Sequence, residues 1–214
     1  MKRLLNYIVV LSLSLFVFGC DTILSSGKTI DKASDEFNYI ETTEKGIVHY
    51  KGIPFNGSVT GTYENGKLEE KRTYKDGKFD GVYEFYHENG QLKEKGTMKD
   101  GKLNGVYEFY HENGQLKSKG TMKDGNRDGA SEWYYENGQL EGKETYKDGK
   151  KDGVFELYYE DGQLMAKGTM KDGEQNGSFE EYYENGQLYR KGTHREGRKV
   201  GVFEKYNEDG TKIN

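Results

Sequence analysis

Residues 81–104 read GVYEFYHENGQLKEKGTMKDGKLN, and residues 105–128 read GVYEFYHENGQLKSKGTMKDGNRD. The tripeptide Glu-Asn/Asp-Gly begins at Glu64, Glu88, Glu112, Glu136, Glu160, Glu184 and Glu208, each 24 residues after the last. A period of this length held seven times specifies a tandem array in which each unit packs mainly on its neighbours. Within 81–104, residues 82–86 (VYEFY) and 92–98 (LKEKGTM) are strand-like, and Asn89-Gly90 between them is hairpin chemistry. A two-residue type I′ turn there sets Glu84 opposite Lys95, Tyr83 opposite Gly96 and Val82 opposite Thr97. The other units repeat the two positions, the first as Glu108, Glu132, Glu156, Glu180 and Glu204 and the second as Lys71, Lys119, Lys143, Lys167 and Lys191. Tyr107 with Gly120, Phe155 with Gly168 and Phe179 with Gly192 repeat the aromatic over a cross-strand glycine.

Between units lies Lys99-Asp100-Gly101-Lys102, followed by Asn104-Gly105. A two-residue turn there shifts each unit by two residues against the last, whereas a four-residue loop gives no shift; both remain open. Alternation places Val82, Glu84, Tyr86, Lys93, Lys95 and Thr97 on one face, and Tyr83, Phe85, Leu92, Gly96 and Met98 on the other. The first face is mostly polar and carries a tyrosine row, Tyr86, Tyr110, Tyr134, Tyr158, Tyr182 and Tyr206. The second is apolar and carries Phe85, Phe109, Trp133 and Leu157, one per unit. No segment has the 3.6-residue apolar period of a covering helix. The fold class expected is therefore all-β, with hairpin repeats stacked as an elongated antiparallel sheet or β-solenoid. Phe85, Phe109, Trp133 and Leu157 are a candidate partner-binding stripe unless they coil inward as core. In that case Tyr86, Tyr110, Tyr134 and Tyr158 become the candidates.

Hydrophobic residues are only 32% of the chain while aromatics reach 14%, which suits a sheet without a thick core better than a disordered polar chain. A net charge of -5 with interspersed Lys and Glu argues against nucleic acid. Lys2 and Arg3 precede an apolar run over residues 8–18, the parts of a secretory signal in 1–19. Cys20, the only cysteine, excludes an intrachain disulfide. Val17-Phe18-Gly19-Cys20 resembles a bacterial lipobox, with Phe18 departing from it; the resemblance implies lipidation of Cys20. Residues 20–36 read as a polar tether, 37–56 as a degenerate N-terminal cap holding the only proline, Pro54, and 57–214 as the array.

Chemistry is sparse. His87 and His111 sit beside glutamates, yet Tyr135, Tyr159, Tyr183 and Asn207 fill the same position, so a metal role does not follow. His49 and His194 lack ligand spacing. Residues 124–129 open like a calcium loop, but Tyr135 stands where the terminal glutamate belongs. No nucleophile–base grouping is found, and neither an enzyme nor a cofactor or metal is expected.

The pattern YYENGQLKxKGTxKDGKxDGVxExY, carried by residues 153–177 and 182–201, resembles the variant MORN repeat of bacterial proteins. The resemblance covers about 57–212, and loosely from Phe37. It implies stacked β-hairpins serving as a scaffold or interaction surface. Some bacterial members are filed as YwqK-type antitoxins. Three functions follow as expectations. The first is an envelope lipoprotein, anchored through Cys20 and facing periplasm or exterior, whose sheet binds a protein or glycan. The second is an antitoxin or immunity protein, and the third a structural envelope spacer.

Overall fold

The computed structural model describes residues 27–213. Cys20, the expected signal segment and residues 21–26 of the expected tether lie outside the described residues. Strands dominate, and the helical element among the described residues is a short 3-10 turn, Asp35–Tyr39. A 17-stranded sheet carries the array, with a separate three-stranded sheet near its N-terminal end.

The hairpin Lys78–Tyr86 with Leu92–Lys99 shows how one unit is built. Glu84 faces Lys95, Tyr83 faces Gly96 and Val82 faces Thr97, the register read from the sequence. The turn differs from the expected type I′. The Gly90 N–H donates to the His87 carbonyl at 2.8 Å and the His87 N–H to the Gln91 carbonyl at 2.8 Å. Gly90 has φ +89° whereas Asn89 is not left-handed. This is a three-residue loop, Glu88-Asn89-Gly90, ending in a glycine bulge. It pairs Tyr86 with Leu92, and a second bulge at Phe85/Tyr86 restores the expected register. Asn89 is retained for its side chain: Oδ1 accepts from the Gln91 N–H at 2.8 Å, and Nδ2 donates to the Glu112 carbonyl of the next unit at 2.7 Å.

The junction between units combines both readings left open. Asp100 (φ +50°) and Gly101 (φ +79°) form a two-residue type I′ turn, with Lys99 facing Lys102 and Met98 facing Leu103. Continued, that register would bring Lys95 opposite Val106. Instead Lys95 faces Glu108, because a bulge at Asn104-Gly105 absorbs two residues, with Gly105 at φ +110°. Gly129, Gly153 and Gly177 repeat this at φ +110° to +124°. The two-residue shift of the turn is cancelled, so successive units stack without stagger and each residue type forms a straight row across the sheet.

Two expectations about the N-terminal part change. Lys28–Asp31, expected to be tether, is a strand pairing in parallel with Gly57–Thr62. Ile30 is fully buried and joins Val48, Phe55 and Val59 in an apolar cluster flanked by Phe37, Ile40, Tyr50 and Tyr74. Isoleucine and its spacing to Phe37 supply the apolar surface that composition averaging over 20–36 conceals. Residues 37–56 form a small sheet of Ile40–Thr42, Val48–Tyr50 and Ile53–Pro54, with Pro54 on its outer strand where the missing N–H matters least. The Val48 N–H donates to the Gly77 carbonyl and the Gly77 N–H to the Phe55 carbonyl, each at 2.8 Å, tying cap to array.

Candidate functional site

Zero stagger turns the repeat into three kinds of row. On the polar face, glutamate and lysine alternate strand by strand from Lys71 through Glu84 and Lys95 to Glu204. The ion pairs close between hairpins rather than within them. Lys95 meets Glu108 at 2.7 Å, Lys119 meets Glu132 at 2.9 Å, Lys143 meets Glu156 at 2.8 Å and Lys167 meets Glu180 at 2.9 Å. Each glutamate also accepts a hydrogen bond from the tyrosine two residues on, as Tyr110 to Glu108, Tyr134 to Glu132 and Tyr158 to Glu156. Hydrogen bonds from Tyr134 and Lys119 hold the Glu132 carboxyl below the usual glutamate range. Lys212, Tyr206 and Lys191 together take Glu204 down to about 2. The candidate tyrosines Tyr86, Tyr110, Tyr134 and Tyr158 are thus half-buried members of a charge ladder, with their hydroxyls already engaged.

Along the loop edge, Tyr63, Tyr135, Tyr159 and Tyr183 each donate a hydroxyl to a carbonyl one unit on, at 2.6–3.0 Å. His87 and His111 do the same through Nε2, at 3.3 and 3.1 Å. Either side chain spans the gap, which explains why histidine and tyrosine interchange here. Among the described residues no cluster suited to a metal ion is found.

The other face is aromatic. Tyr83 lies across Gly96, where a Cβ would come within 2.8 Å of its ring, and Tyr107 and Phe155 cover Gly120 and Gly168 likewise. Tyr83, Tyr107 and Phe155 are buried. Burial, with a hydrogen bond to Glu94, pushes the Tyr83 hydroxyl pKa well up. The candidate stripe of Phe85, Phe109, Trp133 and Leu157 runs beside this row and is half-buried. It is neither inward core nor fully exposed, because the more buried role belongs to the row of Tyr83. Phe85 packs on Tyr83 at 5.6 Å between ring centroids, and Phe109 on Tyr107 at 5.7 Å.

Six consecutive segments, 55–76, 79–100, 103–124, 127–148, 151–172 and 175–196, match the family described as MORN repeat variant. The chain belongs to that family. The six MORN variant repeats account for the long sheet, and the array is a repeat-based binding scaffold in architecture. No curated protein matches the chain.

In the MORN array the fourth repeat, 127–148, breaks the aromatic row. Ser131 stands where four other hairpins have Tyr83, Tyr107, Phe155 and Phe179, and Glu144 faces it where those hairpins have Gly96, Gly120, Gly168 and Gly192; the first hairpin has Val59 opposite Arg72. Trp133 covers Gly142 instead. Sequence reasoning followed the regular tyrosine–glycine pairs and passed over this departure, although both substitutions are visible once the units are aligned.

Proposed function

We propose that the chain is an envelope-anchored lipoprotein, held by lipid on Cys20, whose MORN array presents its aromatic face to an extended partner. The observation that carries this reading is the stagger-free stacking. It sets Phe85, Phe109, Trp133 and Leu157 in one half-buried row, stepping two strands, about 10 Å, per unit. Such a row suits a ligand that itself repeats, and a cell-surface glycan is a partner of that kind. The ladder of the opposite face is self-satisfied, so it offers fewer free groups to a partner. Among the described residues no helix is long and apolar enough to cross a membrane.

Two measurements test this. Cys20→Ser is expected to release the protein from the membrane fraction and abolish lipid labelling; unchanged fractionation removes the anchor. Co-sedimentation of the purified array with insoluble bacterial cell-wall material is expected to fall several-fold for Phe85→Leu/Phe109→Leu. Leucine already occupies this position at Leu157, so the melt should shift little. Retention equal to that of the wild type contradicts the binding face.

A further inference from the structure

The fourth repeat exchanges a regular feature for a polar cavity. Where the missing aromatic ring would lie, an open cavity of about 310 Å³ remains, at the lower end of the roughly 300–1,000 Å³ of small-molecule sites. Ser131 is 4% exposed and its Oγ has no hydrogen-bond partner. A buried hydroxyl left unpaired is costly unless something completes it. Glu144, also buried, is held by the Tyr146 hydroxyl and by Lys151. Arg127 lies over the Tyr146 ring at 5.1 Å and donates to the Tyr146 hydroxyl at 3.0 Å. Unlike Lys151, Arg127 has no carboxylate within ion-pairing distance among the described residues. Trp133, the one tryptophan of the chain, lines the same cavity.

We infer that this cavity is a binding site for a single acidic sugar residue, a hexuronate unit of a glycan. The inference rests on the glycan form of the reading above and places its specificity in one repeat. Each group matches one part of such a ligand. The indole provides an apolar plate for the ring's C–H face, as aromatic side chains do at polar recognition sites. The Arg127 fork is a bidentate partner for the carboxylate, with no competing acidic partner to displace. Ser131 and Glu144 offer acceptors, and Ser131 a donor, to ring hydroxyls. The lining also holds Lys119 and Glu132, which pair with each other, so Arg127 and Lys151 against Glu144 leave a local balance of plus one on a chain whose overall charge is -5, which favours an anion in this cavity. The other large clefts lie elsewhere: one of about 460 Å³ at the unit junction near Lys78 and Asp100, and two of about 480 and 530 Å³ along the loop edge around His87 and His111.

The sole tryptophan makes the test direct. Titration of the full chain with glucuronate, followed by Trp133 fluorescence, is expected to give a saturable change, with glucose at least tenfold weaker and acetate or phosphate without saturation. Arg127→Ala, at an exposed position, is expected to weaken glucuronate at least tenfold. Ser131→Tyr/Glu144→Gly restores the regular pair of the neighbouring units; it should fold at least as stably and lose binding. No saturable change in the wild type overturns the proposal. So does equal binding of acetate, or undiminished binding in either variant while the melt is intact. Cell-wall retention that survives while glucuronate fails would leave the scaffold reading standing and remove only this site.

Discussion

At the scale of single residues, glycine is used for two different reasons. Gly90 and Gly105 supply backbone angles that other residues adopt only under strain. Gly96 has an ordinary strand conformation and is there for space, since Tyr83 occupies the volume of its absent side chain. Replacing it brings two effects of opposite sign. Alanine lowers the entropy of the unfolded chain, worth about 0.4–1 kcal/mol in favour of folding. It also forces the Tyr83 ring off its seat, and overpacking of this kind costs about 1–3 kcal/mol. The second should win, because the ring is buried and bonded to Glu94 at 2.7 Å and has little freedom to move. Urea melts of Gly96→Ala are expected to show a net loss of about 1–2 kcal/mol; a gain in stability would show that the ring is not seated as described.

At the scale of the hairpin, charge neighbours matter more than charge partners. Glu84 faces Lys95 across its own hairpin, but Lys95 makes its close ion pair with Glu108 of the next. Exchanging Glu84 and Lys95 keeps the pair within the hairpin and sets a lysine beside Lys71 and a glutamate beside Glu108. The double exchange should therefore destabilise, by about 0.2–1 kcal/mol for each like-charge contact. Stability unchanged by the exchange would mean that the ladder between hairpins carries no weight. The register behind this prediction was legible from Glu84, Lys95, Tyr83 and Gly96, because side-chain complementarity across the strands recurs in every unit. The turn was not, because Asn-Gly serves both a type I′ turn and a glycine bulge. Only the bond from Asn89 to the next unit, which no local reading contains, favours the second. The strand Lys28–Asp31 was hidden for a similar reason: its partner, Gly57–Thr62, lies more than twenty residues away. The site in the fourth repeat was hidden by regularity itself, since Ser131 and Glu144 are ordinary residues until seen as a vacated ring and its glycine.

At the scale of the molecule, stability is distributed along the sheet. The described residues hold one cluster of buried apolar side chains, at the N-terminal cap, and beyond it each unit leans on the two beside it. This is the arrangement in which repeat stability is a sum of unit and nearest-neighbour contributions. The cap protects one end: its strand Lys28–Asp31 covers Gly57–Thr62, and Lys32 and Arg72 pair with the buried Glu70 just inside. Toward the other end, Lys212–Ile213 covers only part of the last long strand, Arg198–Tyr206, and Val202 is 80% exposed. Turn and bulge together cancel the stagger, so that every unit meets its neighbours in the same register. Excision of residues 153–176, one full period, joins Asp152 to Gly177 and tests it most directly. Circular dichroism and thermal melting should show an intact β-sheet with one cooperative transition, lowered by a few degrees, whereas removal of residues 153–174 should disrupt the sheet beyond the cut. If the full-period excision unfolds the array, or if both excisions are tolerated alike, the stagger-free stacking is contradicted.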